Sequence, residues 1–175
     1  MSVVVEAVCI STPDRRVAKQ PRDEAFCGPH GLEGDRHAGE TRISPRTGQA
    51  ITNRRQWSAV STDEVEAFCR ELGVVPFAFG DMGENIRLRG IDLGSLTAGA
   101  VLEFPSGCRL EVSGQNDPCE NAAEELSMTY GSAVRSYFVR ASFGHRGVVG
   151  SVITPGVIRP GDEVVIHAPA PATAT

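Results

Sequence analysis

The sequence predicts a mainly β, α+β fold: a barrel or strongly bent sheet with a few flanking helices, and not a doubly wound α/β fold. Three observations carry this reading. The 19 Gly and 11 Pro among 175 residues cut the chain into short segments. Several of those segments alternate apolar and polar residues or are rich in β-branched ones, which is the strand pattern. Helical periodicity, by contrast, is convincing in a single window.

Taken in order, Val3 to Ile10 is the first strand, since its β-branched residues suit a pleated surface. Gln56 to Val60 is the next. Ser61-Thr62-Asp63-Glu64 then reads as a capping box, and Val65, Phe68, Cys69 and Leu72 share one helical face behind it. Cys69 is therefore assigned to the core. Asn85 to Leu88 is a strand, and Val101 to Phe104 pairs with Arg109 to Ser113 as a hairpin around Pro105-Ser106-Gly107. Asp117 reads as an N-cap and Pro118 as the first residue of a helix running toward Tyr130. A further helix spans Ser132 to Arg140 and carries Val134, Tyr137 and Phe138. Val148 to Ile153 and Glu163 to His167 are the closing strands. Ala168 to Thr175 contains only Ala, Pro and Thr, has nothing to bury, and is expected to be disordered. No internal repeat is visible.

At 41% apolar and 22% charged, 175 residues suit one globular domain with a real core, expected over residues 1–167. The net charge is −5 and no dense basic run occurs, which disfavours a nucleic-acid partner. Cysteines 9, 27, 69, 108 and 119 are odd in number, irregularly spaced and form no C-x-x-C pair, as in a reducing compartment. The N-terminus lacks a basic region before an apolar run, and no segment is long enough to span a bilayer. A cytoplasmic protein with no membrane partner is expected.

Cys119 is the residue on which the chemistry centres. Placed at a helix start, its sulfur would lie beside unpaired amides whose partial positive charge favours thiolate over thiol. A thiolate serves as nucleophile, sulfur carrier or soft metal ligand. The competing reading is a small buried hydrophobe, but Gln115, Asn116, Asp117, Glu120 and Asn121 are poor core company and point to a partly open site.

The most concentrated polar segment is Gly31-Leu32-Glu33-Gly34-Asp35-Arg36-His37-Ala38-Gly39. Its glycines let backbone approach a ligand closely, while Asp35, Arg36 and His37 supply an acceptor, a guanidinium fork and an imidazole. That set suits a polar, anionic small molecule; a glycine turn with solvated charges is the plainer reading. Arg54-Arg55-Gln56 and the loop Gly80-Asp81-Met82-Gly83-Glu84-Asn85 could feed the same pocket or simply lie on the surface. His145 and Arg146, before a strand, are open to both readings too. A phosphate loop, a dinucleotide glycine fingerprint and a Gly-x-Ser-x-Gly elbow are all missing. Cys27, His30 and His37 offer zinc-like spacing without a fourth ligand nearby.

Read together, GLEGDRHAG at 31–39, RRQWSAVS at 54–61, GDMGENIRLRGIDL at 80–93, Pro118-Cys119 and HRGVVGSVITPGVIRPGDEVVI at 145–166 resemble the MOSC domain family, named for the C-terminus of molybdenum cofactor sulfurase, and its free-standing bacterial members. The resemblance spans nearly the whole chain except the tail. It implies a β-barrel and a link to the molybdenum cofactor, a molybdopterin whose dithiolene binds molybdenum and which ends in a phosphate.

The resemblance also implies that Cys119 is molybdenum ligand or sulfur carrier. By the same resemblance Asp35, Arg36, His37, Arg55, Gln56, Gly83, Glu84, Asn85 and Asn116 bind the cofactor, with Arg36 and Arg55 on its anionic groups and Asn85 on the pterin or in loop structure. Two departures stand out. Asp117 occupies a place where relatives often carry arginine, and Thr41 to Asn53 is longer than the usual connection and reads as a loop, expected to act as a lid. The chain contains no aminotransferase-like desulfurase region and no ferredoxin domain. Two active roles follow from the resemblance. One is an oxidoreductase reducing N-hydroxylated compounds, supplied with electrons by a separate reductase. The other is a sulfur or cofactor carrier using a Cys119 persulfide, with a desulfurase or molybdoenzyme as partner. A scaffold that has lost its cofactor is the third reading.

Overall fold

Strand β1 (Val3–Ser11) is paired along both edges, and the fold is built outward from it. The computed structural model describes residues 2–169, so of the expected tail only Ala168 and Pro169 fall within it. After β1 come β2 (Lys19–Arg22), β3 (Ala25–Gly28), β4 (Gly31–Leu32), β5 (Thr41–Ile43), β6 (Ala50–Thr52) and β7 (Trp57–Ser61). Helix α1 (Thr62–Leu72), β8 (Ile86–Arg89), β9 (Val101–Glu103) and β10 (Arg109–Gln115) follow. Helices α2 (Glu120–Tyr130) and α3 (Ser132–Ala141) lead into β11 (Val148–Thr154), β12 (Gly156–Ile158) and β13 (Glu163–His167).

Strands β13, β9, β10, β11, β7, β8 and β1 are hydrogen-bonded in that order, and β1 pairs with β13 to close the ring. Closure removes the unpaired edges that a sheet of this size would otherwise expose. All pairs in the ring are antiparallel except β7 with β8. Strand β2 extends β1 outside the ring; β12, β3 and β4 form a separate small sheet, and β5 and β6 a separate hairpin.

Two apolar layers result. Val5, Trp57, Ile86, Leu88, Leu102, Leu110 and Val148 pack inside the barrel. Outside it, Val60 of β7 meets Val65, Phe68 and Cys69 of α1, Ala122, Ala123 and Leu126 of α2, and Val134 and Phe138 of α3. Phe77 binds this layer together, with its ring centroid 4.6 Å from Tyr130 and 6.0 Å from Phe68. Alternation within β7 explains the division: Trp57 and Ala59 face the barrel and Val60 the helices.

The strands and helices expected from pattern are present within a residue or two at most ends. Three expectations are corrected. The helix after Pro118 begins at Glu120, so Cys119, in extended conformation (φ −134°, ψ 153°), is the N-cap in place of Asp117. Ser61 does not close a capping box: its hydroxyl donates to the Ile91 carbonyl (2.7 Å), and the Glu64 carboxylate accepts from the amides of Leu93 and Gly94. Those side chains anchor the turn after β8, an outlet the local pattern does not reveal. The stretch Thr41 to Asn53 is the β5–β6 hairpin, with Arg42 opposite Ile51, and not an irregular loop.

Candidate functional site

The loop between β10 and α2 carries Asn116, Asp117 and Cys119 to the wall of a cavity of about 390 Å³. This is within the roughly 300–1,000 Å³ of ordinary small-molecule sites. His37, Arg55, Trp57, Ser58, Met82, Gly83, Asn85 and Arg146 complete most of the lining, with Arg16, Val17 and Asn121 along one side.

Cys119 differs from the other four cysteines in exposure. Cys9, Cys27, Cys69 and Cys108 are buried, whereas Cys119 is half-buried. Burial pushes the Cys9 thiol up to about 12 and raises Cys69 as well. The neighbouring Cys108 thiol, together with burial, holds the Cys27 thiol of β3 far above the ordinary range. Among the described residues no group of three or more His, Cys, Asp or Glu is placed to share a metal ion, so Cys27, His30 and His37 do not converge.

The cation beside Cys119 comes from far along the chain. Arg146 Nη1 donates to the Asp117 carbonyl at 2.6 Å and lies 3.5 Å from Cys119 Sγ, while Nη2 donates to the Met82 carbonyl at 3.3 Å. Its Nε is buried with no partner. Such an atom is costly unless a bound group satisfies it. Gly147 makes this placement possible: at φ +79° it lies so close to β7 that a Cβ would be 1.9 Å from the Ala59 carbonyl oxygen.

A second guanidinium stands opposite. Arg55 Nη2 donates to Asn116 Oδ1 at 2.7 Å, and the Asn116 amide donates to the Gly147 carbonyl at 2.8 Å. Burial, followed by repulsion from Arg42 and Arg146, lowers Arg55 from its ordinary value, and Asp117 and Cys119 oppose that only in part. Excess positive charge in a partly dry cavity is the electrostatic form of an anion site. Arg42 brings the β5–β6 hairpin into this field. Asn53 clamps the hairpin base, donating to the carbonyls of His37 (2.8 Å) and Gly39 (3.0 Å) and accepting from the Arg55 amide (3.0 Å).

The residues expected at the site divide into two sets. Cys119, His37, Arg55, Gly83, Asn85 and Asn116 line the cavity. Asp35, Arg36, Gln56 and Glu84 stand behind it. Asp35 is buried against Lys19 (Nζ to Oδ2 3.0 Å) and accepts from the His37 amide (3.0 Å), with His37 Nδ1 3.2 Å from Oδ1. Burial would raise the Asp35 carboxyl, but the His37 hydrogen bond and the Lys19 charge hold it well below the usual carboxylate range. The Arg36 guanidinium donates to the carbonyls of Arg16 and Ala18, fixing the β1–β2 connection. Gln56 Oε1 accepts from the Val152 amide (2.9 Å). Glu84 is fully buried in an ion pair with Arg87 (2.5 Å).

Asn85 is itself held firmly. Its Oδ1 accepts from the Ser58 amide (3.2 Å) and its Nδ2 donates to the Cys9 carbonyl (3.2 Å), fixing the cavity wall between β7 and β1. Gly83, at φ +82°, would place a Cβ 2.9 Å from the Val17 carbonyl oxygen, so the 80–85 loop and the β1–β2 connection close on each other only through glycine. Arg16, Trp57 and Asn121 were not legible as site residues. Arg16 donates to Asn121 Oδ1 (2.7 Å) across 105 positions, a contact with no local signal.

Comparison with known proteins agrees with this architecture. Residues 34–165 match the MOSC domain. The chain is 34% identical over 176 residues to a Bacillus subtilis (strain 168) protein described as "Putative metal-sulfur cluster biosynthesis proteins YuaD", covering 95% of this chain and 91% of that one. The crystal structure of Bacillus subtilis YuaD superposes with a TM-score of 0.91 at 32% identity, over 97% of this chain and 98% of its own. YiiM from Geobacillus stearothermophilus shares the fold, with a TM-score of 0.68 at 18% identity, over 94% of this chain and 75% of that chain. Among the described residues no helix is long and apolar enough to cross a membrane. The MOSC domain is associated with the molybdenum cofactor. With that match over most of its length, and a barrel that superposes so closely on YuaD, the chain belongs to the MOSC domain family.

Proposed function

We propose that the cavity binds the molybdenum cofactor through Cys119 and that the protein reduces N-hydroxylated compounds. The observation that carries this reading is the juxtaposition of the half-buried Cys119 sulfur with Arg146, whose Nε lacks a partner, in a cavity that also holds Arg55. A soft thiolate suits molybdenum, and guanidinium forks suit a phosphate. The residues present therefore fit the group: Cys119 would meet the metal, Arg55 and Arg146 its anionic parts and Asn116 its pterin edge, with Asn85 bracing the wall behind them.

When bound, the cofactor supplies two-electron redox chemistry at a metal that accepts oxygen. Conversion of R–NH–OH to R–NH2 and water consumes two electrons and two protons. The electrons come from a separate reductase. His37 is a cavity side chain able to pass a proton: its Nδ1 is engaged by Asp35, which leaves Nε2 for substrate. Arg146 holds the Asp117–Cys119 backbone and so sets where the sulfur stands.

A second reading, a sulfur carrier serving a desulfurase or molybdoenzyme, is favoured by the description of YuaD in terms of metal–sulfur cluster biosynthesis. One comparison separates the two. Protein from a cofactor-producing host is assayed with reduced methyl viologen and an aromatic amidoxime, beside Cys119→Ser, with intact mass recorded for both. Turnover that needs Cys119 supports the reductase. Absence of turnover, with the mass of one added sulfur at Cys119, supports the carrier and overturns the reductase.

A further inference from the structure

A second depression runs along the seam between α1 and α3, lined by residues distinct from those of the Cys119 cavity. Its floor is apolar, formed by Ala67 and Phe68 of α1, Ile91 after β8 and Ala141 at the end of α3. Carboxylates gather around that floor. Asp63 is engaged by the Gly90 amide (2.7 Å), and Glu64 by the amides of Leu93 and Gly94 and by His145 Nδ1 (3.1 Å).

Glu71 and Asp92, which also line the depression, join no ion pair among the described residues. The nearby Arg89 is already held by Glu6, Asp63 and Glu66. Burial raises the Glu64 carboxyl despite the His145 hydrogen bond, and the Asp92 charge adds to the rise. Negative charge here thus exceeds what the lining offsets.

The depression does not end at Glu71 and Ala141. Both also line an adjoining hollow with Leu72, Tyr137 and Arg140, so the two form one trough. Tyr137, which lines it, is 58% exposed. A large exposed aromatic beside an apolar floor is a feature of a protein contact surface.

We propose that this trough docks a segment of a partner protein that presents a lysine or arginine next to a large apolar side chain. The cation would lie among Asp92, Glu71 and Glu64, and the apolar side chain on Ala67, Ile91 and Ala141. The floor is too apolar for a fully solvated ligand, and the unpaired carboxylates select the sign of charge. The location matters, because His145 lines the trough and the next residue, Arg146, lines the Cys119 cavity. A docked segment would bear on the backbone that carries the guanidinium beside the cysteine.

The test uses acetyl-Arg-Phe-Leu-amide and acetyl-Glu-Phe-Leu-amide as probes, titrated into the full chain and followed by NMR at the Ala67, Ile91 and Ala141 methyls. The arginine peptide is expected to give saturable shifts at these methyls and to bind at least tenfold tighter than the glutamate peptide. The double variant Glu71→Gln, Asp92→Asn should lose most of that preference while unfolding at an unchanged temperature. Equal binding of the two peptides, no saturable shift, shifts centred on the Cys119 cavity, or an undiminished preference in the double variant would each overturn the proposal.

Discussion

Arg146 and Cys119, 27 residues apart, meet at 3.5 Å because the guanidinium is anchored on the Asp117 carbonyl just before the cysteine. The same arginine therefore places the loop and supplies the positive charge beside the sulfur. The sequence places that charge at the start of α2, with Asp117 where relatives often carry arginine. The structure shows the Asp117 backbone in use as the arginine's acceptor.

Under native conditions iodoacetamide should modify one thiol of the five, Cys119, since the other four are buried. Arg146→Met removes a charged hydrogen-bond donor worth about 1.5 kcal/mol. Alkylation of Cys119 should then slow by roughly tenfold, the rate equivalent of losing that contact 3.5 Å from the sulfur. Peptide mapping of the labelled protein measures both. An unchanged rate would mean that Arg146 does not act on the sulfur.

The Lys19–Asp35 pair predicts an acid-sensitive fold. The Asp35 carboxyl is held far below its unfolded value of about 4. As the pH drops past that value, the unfolded chain takes up a proton that the folded chain refuses, so stability falls. Lys19 is lowered by burial against the pull of Asp35, which affects the alkaline side and leaves the acid limb alone. Asp35→Asn should flatten that limb and cost about 3 kcal/mol at neutral pH, because it leaves Lys19 buried without a counter-charge. Urea midpoints between pH 3 and 7 provide the check, and an equal slope in both proteins would contradict the assignment.

Gly147→Ala should be among the most damaging single-methyl changes. The added Cβ meets the Ala59 carbonyl oxygen at 1.9 Å, and the residue must also hold φ +79°. A loss of about 3 kcal/mol is expected from the clash and the backbone strain. Gly161→Ala shares a positive φ (+91°) but meets nothing within 4 Å, so it should cost only about 1 kcal/mol. Comparing the two by thermal unfolding separates close approach from conformation.

Legibility followed the range of the interactions. Strands such as β1 and β10, and the face of α1 with Val65, Phe68 and Cys69, follow from side-chain periodicity, which is local. Strands β2 to β6 and β12 carry no such pattern: Pro21 sits in β2, all of β6 is exposed, and β4 has only two residues. They exist because partners elsewhere fix them. The site divided in the same way. Cys119 was legible from its polar neighbours and Arg55 only from the family resemblance, whereas Asp35, Arg36, Gln56 and Glu84 have the composition of ligands and are held in internal ion pairs and backbone contacts. A motif rich in polar side chains does not tell which of them faces the cavity and which braces it. The dependence of the site on Arg146 and Arg16 lies in contacts between distant segments.

The central claim is that Cys119 holds molybdenum, and the molybdenum-to-protein ratio tests it most directly. Protein purified from a host that makes the cofactor should carry close to one molybdenum per chain, and Cys119→Ser, folded to the same extent by circular dichroism, should carry almost none. Equal molybdenum in the two proteins, or none in the unaltered one, would contradict the account.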